Sequence, residues 1–163
     1  RKIEAGGADF LIICTNTMHR VASEIEQAIS IPLLHIADAT ALKLKDDNIT
    51  RVGLLGTRFT MEHNFYKSRI TELFGIEVLV PEPDERTLLH AIIYDELCLG
   101  KIENTSRQQC LEIISRLFAR GAQAVILGCT EIALLISQDH TSIPLYDTTV
   151  IHAKQAVSYA LKD

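Results

Sequence analysis

The sequence predicts an α/β protein built on parallel sheets covered by helices. Short continuous apolar runs of strand length alternate with stretches whose apolar residues recur at helical spacing. The runs leave no polar face to set against water, which is the pattern of parallel strands buried on both sides. With 163 residues, 47% of them hydrophobic and 23% charged, the chain is long enough to bury the core that such layers need.

Residues 1–7 (RKIEAGG) read as a helix end running into a strand, and the missing initiating methionine makes the sequence look like a piece of a longer protein. Residues 8–14 (ADFLIIC) form the first apolar run, followed by a helical pattern over 18–29. No element is assigned to residues 30–50. A strand at 51–56 (RVGLLG) precedes a helix at 60–74, and 76–81 (IEVLVP) is another strand. Residues 84–100 and 104–121 read as two helices stopped by Gly100 and Gly121. Two more strand–helix pairs follow, 123–128 with 130–137 and 143–147 with 148–161.

Charge and composition narrow the function. The net charge of -5 arises from 21 acidic and 16 basic residues, with no basic run able to neutralise phosphates, so nucleic acid is not an expected partner. No apolar stretch reaches the roughly 18 residues of a membrane span, and no signal peptide is visible. Cys14, Cys98, Cys110 and Cys129 lack the close spacings of a zinc site or a redox pair. Free thiols in a reducing cytoplasm, and no metal, are expected.

Two junctions concentrate the chemistry, because both sit where a strand ends and a helix begins. Ligands gather at that edge of a parallel sheet. At the second junction, Gly128-Cys129-Thr130-Glu131, a thiol stands at a helix start, where the helix dipole favours thiolate. Cys129 is therefore expected to be accessible and acidified, although a free cysteine is commonly just a small buried hydrophobe. At the first junction, strand alternation puts Cys14 and Thr15 on opposite faces, so the two cannot both face a cleft. Asn16 and Thr17 supply groups for holding a polar ligand, or serve only as helix caps. Asp147 reads first as a helix cap, His19 and His152 as structural or solvent-facing, and Arg58 and His63 as residues within reach of the cleft.

Three stretches together carry a resemblance: Cys14-Thr15-Asn16-Thr17-Met18-His19, Gly53-Leu54-Leu55-Gly56-Thr57 with Thr60 and Tyr66, and Gly128-Cys129-Thr130-Glu131. In order and spacing they resemble the aspartate/glutamate racemase family, whose members are longer by roughly a first third. The resemblance implies two similar lobes with the active site in the cleft between them. Here these are residues 1–37 plus 141–163, and residues 38–140. It also implies cofactor-independent racemisation of an acidic amino acid, with no pyridoxal phosphate, metal or nucleotide, and a homodimer. In the family two thiols face each other across the substrate, and the second handles the L enantiomer. That second thiol corresponds to Cys129. The first cysteine directly precedes Asn-Thr in the usual pattern, which makes Thr15 the opposing catalytic position and leaves Cys14 as a core residue facing away. This form resembles the L-aspartate/glutamate-specific subgroup. Asn16, Thr17, Thr57, Thr130 and Glu131 are the implied substrate-binding residues, and Cys98 stands where many relatives have lysine. The competing readings are a hydantoin racemase, maleate isomerase or arylmalonate decarboxylase, and a dicarboxylate-binding protein without catalysis.

Overall fold

The structure is a computed structural model and describes residues 1–161. Two parallel sheets organise it. β1 (Leu11–Ile12) pairs with β2 (Leu33–Leu34), and β3 (Arg51–Leu55), β4 (Glu77–Leu79), β5 (Ala124–Leu127) and β6 (Leu145–Asp147) form a second sheet in the order β4-β3-β5-β6. In register, Gly53 lies beside Val125 and Leu127 beside Asp147. Nine helices complete the described chain: α1 (Lys2–Ala5), α2 (Ala22–Glu26), α3 (Ile36–Asp46), α4 (Arg58–Glu62), α5 (Asn64–Phe74), α6 (Pro83–Ala91), α7 (Asn104–Ala119), α8 (Ile132–Leu135) and α9 (Thr148–Ala160).

The apolar central strands do bury both faces. Val52, Leu54, Ala124 and Ile126 pack with Ile36, Leu44, Tyr66 and Ile70 on one side. On the other, Leu55, Val125 and Leu127 pack with Leu89, Ile113, Ile114 and Leu117. The period-two alternation of a strand thus divides two cores, one under α3 and α5 and the other under α6 and α7. Each fully buried Leu or Ile contributes about 1.5–3 kcal/mol by leaving water.

Several expected elements change length or kind. The run 8–14 keeps a ladder only at Leu11–Ile12, and the helix of 18–29 is a tight 3₁₀ turn, Thr17–Val21, leading into α2. β2 and α3 occupy the region left without elements. Residues 84–100 begin as α6, widen into a π turn at Ile92–Glu96, and tighten to 3₁₀ at Leu97–Leu99 before Gly100 stops them at φ 73°. The helix of 130–137 contracts to the four residues of α8. β6, within the 141–163 segment assigned to the first lobe, hydrogen-bonds to β5 of the four-stranded sheet, while α9 beyond it packs on α3.

Candidate active site

The carboxyl ends of β1, β3 and β5 converge on one cavity of about 250 Å³. The loop after β1 brings Cys14, Thr15, Asn16 and Thr17; the end of β3 brings Thr57; the end of β5 brings Gly128, Cys129, Thr130 and Glu131. All seven residues that the resemblance assigns to catalysis or substrate binding, Thr15, Asn16, Thr17, Thr57, Cys129, Thr130 and Glu131, line this one space. Gly128, whose N–H donates to the Leu55 carbonyl at 2.7 Å, is what lets the chain just before Cys129 come so close to β3. A Cβ there would stand 2.7 Å from the Leu55 carbonyl oxygen and 2.8 Å from Leu54 Cδ1.

Cys129 differs from expectation in its protonation. It is 8% exposed, and its thiol is pushed up to about 12 by burial and by its hydrogen bond to Glu131. Sγ donates to Glu131 Oε2 at 2.9 Å, and the Thr130 hydroxyl donates to the same oxygen at 2.7 Å. Burial alone raises the Glu131 carboxyl, but these bonds and one from its own backbone outweigh it and hold the group below the usual carboxylate range. The resting pair is therefore neutral thiol and carboxylate. The expected acidification fails because desolvation dominates, and because α8, only four residues long, starts at Ile132 and has little dipole to offer. Cys14 and Cys98 are the exposed thiols.

The first junction also corrects the alternation argument. The ladder stops at Ile12, so residues 13–16 are not strand, and exposed Cys14 lines the cavity together with half-buried Thr15 instead of facing a core. Asn16, 4% exposed, is not a side-chain cap; its Nδ2 donates to Thr148 Oγ1 at 3.0 Å. Thr148 in turn donates its only hydroxyl proton to the Leu127 carbonyl at 2.9 Å. That order fixes the amide: the NH₂ must face Thr148, and Oδ1, fully buried, has no hydrogen-bond partner among the described residues.

Thr57 caps α4, its hydroxyl accepting from Thr60 N at 3.4 Å, and Asp147 caps α9 by accepting from Thr149 N and Val150 N. Arg58 and His63 are exposed and do not line the cavity; Arg58 reaches Thr87, and His63 stacks on Phe59. His19 and His152 are both buried. Sequence reasoning missed Ile93 and Tyr94, which the π turn carries to the cavity wall. The only available signal was Tyr94 interrupting an apolar helical face. Cys98 lines the same wall.

Three comparisons place these features among known proteins. The family model described as Asp/Glu/hydantoin racemase matches residues 1–156. A broad specificity amino-acid racemase of Bacillus subtilis is 26% identical over 158 residues, which are 96% of this chain and 67% of that protein. A crystal structure of a Yersinia pestis protein assigned to the Asp/Glu racemases shares 51% identity with a TM-score of 0.95, covering 99% of this chain and 70% of that one. An aspartate racemase homologue from Pyrococcus horikoshii superposes with a TM-score of 0.90 at 32% identity, again over 99% and 70%.

Proposed function

Because the chain belongs to the Asp/Glu/hydantoin racemase family, we propose that its cavity racemises an amino acid by removing and returning the α-proton, with Cys129 and Thr15 on opposite sides of the substrate. The observation that carries the reading is the Cys129–Glu131 pair, a thiol hydrogen-bonded to a carboxylate able to take its proton, in the cavity that Thr15 and Asn16 also line. Such a pair is equipped to move a proton. A site that only holds a dicarboxylate needs no buried thiol beside a proton acceptor.

The chemistry follows from the resting protonation. Cys129 passes its proton to Glu131 Oε2, with which it already shares a hydrogen bond, and the thiolate so formed takes the α-hydrogen as general base. A proton then returns to the opposite face from the Thr15 hydroxyl, which regains one through solvent as Glu131 gives up the proton it took from Cys129. That hydroxyl is a far weaker acid than a thiol, so that half of the exchange is slow. The substrate is an acidic amino acid, aspartate or glutamate, in keeping with the names of the Yersinia pestis and Pyrococcus horikoshii structures, whereas the Bacillus subtilis relative is named for broad specificity. Thr17 and Thr57 offer hydroxyls to its carboxylates. The test is proton NMR of aspartate, glutamate and a panel of neutral amino acids in deuterated water. The α-hydrogen signal of an acidic amino acid should fade with the protein present. A signal that persists for every amino acid would leave a binding protein as the better reading.

A further inference from the structure

Behind the cavity, three buried histidines stand together. The ring centroids of His19 and His35 are 4.3 Å apart, and those of His19 and His152 are 5.9 Å apart. Each is at most 4% exposed. Their hydrogen bonds are to backbone. His19 Nε2 accepts from Ile36 N at 3.2 Å, which leaves Nδ1 as the protonated nitrogen, and Nδ1 lies 2.8 Å from the Thr15 carbonyl oxygen. His19 therefore donates to Thr15 as the neutral Nδ1–H tautomer, which the bond from Ile36 N to its other nitrogen selects. His35 Nδ1 accepts from Ala37 N, and His152 Nε2 donates to the Leu34 carbonyl at 2.8 Å.

This arrangement answers a question left by the short first strand. Past Ile12 the chain has no ladder to hold it, yet Thr15 and Asn16 must meet a substrate in a defined position. The ring of His19 bridges Thr15 to the first residue of α3, an element that packs on α5 and α9. We propose that His19 is a positioning residue for the reaction: its Nδ1–H donor bond to the Thr15 carbonyl, anchored by Ile36 N on the other nitrogen, sets where the Thr15 hydroxyl and the Asn16 amide stand in the cavity. The proposal rests on the racemase reading for its kinetic consequence but not for its geometry.

The surroundings keep the ring neutral. Burial is the largest influence on His19 and holds it at about 4; His152 and Arg69 lower it further, against the Thr15 carbonyl and Asp38, which raise it. Asp38 is engaged with Arg69, whose Nη2 donates to Oδ2 at 2.7 Å, so no free carboxylate faces the ring. His35, held at about 2 chiefly by burial, does not compete as a cation.

Two substitutions separate the two nitrogens. In His19→Asn the amide nitrogen takes the place of Nδ1 and can still donate to Thr15, while in His19→Gln the amide end reaches the place of Nε2 and the bond to Thr15 is lost. A misplacement near 1 Å costs about 10²-fold in rate. His19→Gln should accordingly lower kcat for α-proton exchange by about ten- to a hundredfold, with KM changed less than about threefold. His19→Asn should restore most of the rate even where both variants melt at the same lowered temperature. Equal losses that follow the melting temperature would overturn the proposal. Independently of activity, nitrogen-15 NMR of the histidine rings in the unmodified protein should show Nδ1 of His19 protonated across pH 6–8, and the Asn16 amide shifted in His19→Gln but not in His19→Asn. An Nε2–H tautomer, or an Asn16 amide indifferent to His19→Gln, refutes the positioning role. If no amino acid exchanges at all, the racemase reading fails and these spectra still decide the geometry.

Discussion

The protonation of Cys129 gives a sharp test through Glu131→Gln. A thiol held at about 12 is thiolate in about one molecule in 10⁵ at pH 7, against about three in a hundred for a cysteine at the reference value near 8.5. Ionising it to solvent at pH 7 costs about 7 kcal/mol, five pK units at 1.36 kcal/mol each. In the resting protein, iodoacetamide should therefore label exposed Cys14 and Cys98 far ahead of Cys129. Glu131→Gln removes a charged acceptor worth about 1.5 kcal/mol, the low end of the range because Glu131 is half-buried, or about one pK unit. The thiolate fraction then rises about tenfold. A less basic thiolate is also a weaker nucleophile, which halves the gain on a logarithmic scale, so labelling of Cys129 should rise about threefold. Exchange should move the other way, falling by about 10²-fold or more, because the variant has lost the acceptor for the thiol proton. The assay is timed labelling at pH 7 with peptide mass spectrometry. Cys129 labelled first in the unmodified chain, or labelled no faster in Glu131→Gln, would show that neither burial nor the Glu131 carboxylate controls the thiol.

The buried histidines and Gly128 each make stability testable. His19 and His35 are held at about 4 and about 2, below the unfolded value near 6.5, so the unfolded chain binds more protons across that window and stability falls with the pH. His19 alone accounts for about 3 kcal/mol, fully present above pH 6.5 and gone near pH 4. Urea midpoints that stay flat from pH 7 to 4.5 would contradict this. Gly128→Ala should cost about 1–3 kcal/mol, because the added methyl meets backbone at Leu55. A thermal melt reads the loss, and an unchanged melting temperature would show that the strand ends yield freely.

The parts of the fold legible in the sequence were those with a pure pattern. β3 and β5 announced themselves because strands buried on both faces are apolar throughout. α3 did not. Its start is capped by His35, whose Nδ1 accepts from Ala37 N, instead of by Ser, Thr, Asp or Asn, and its buried face is made of small residues such as Ala37 and Ala41, with Thr40 bonding back to the Ile36 carbonyl. The π turn at Ile92–Glu96 was hidden for a related reason, since it changes hydrogen-bond register without changing composition. At the site, the strand-end positions of Thr15 and Cys129 were readable, but the protonation of Cys129 was not. Position suggested a helix dipole, whereas burial and the Glu131 carboxylate decide the outcome. The side of the first strand was misjudged for Cys14 because alternation holds only while the ladder lasts. The histidine cluster draws on residues 19, 35 and 152, which no local pattern connects.

In the proposed reaction a thiol and a threonine hydroxyl act on opposite faces of one substrate. Mirror images have equal free energy, so kcat/KM for inversion must match in both directions, and the inequality of the two groups can show only in the separate kcat and KM values or in exchange. The most direct measurement is the rate of α-hydrogen loss from L-aspartate and from D-aspartate in deuterated water, with the unmodified protein and with Cys129→Ala. Exchange of the L enantiomer should be the faster, outrunning its inversion because Thr15 returns protons slowly, and Cys129→Ala should exchange neither enantiomer. Equal rates for the two enantiomers, or exchange undiminished without the thiol, would contradict it.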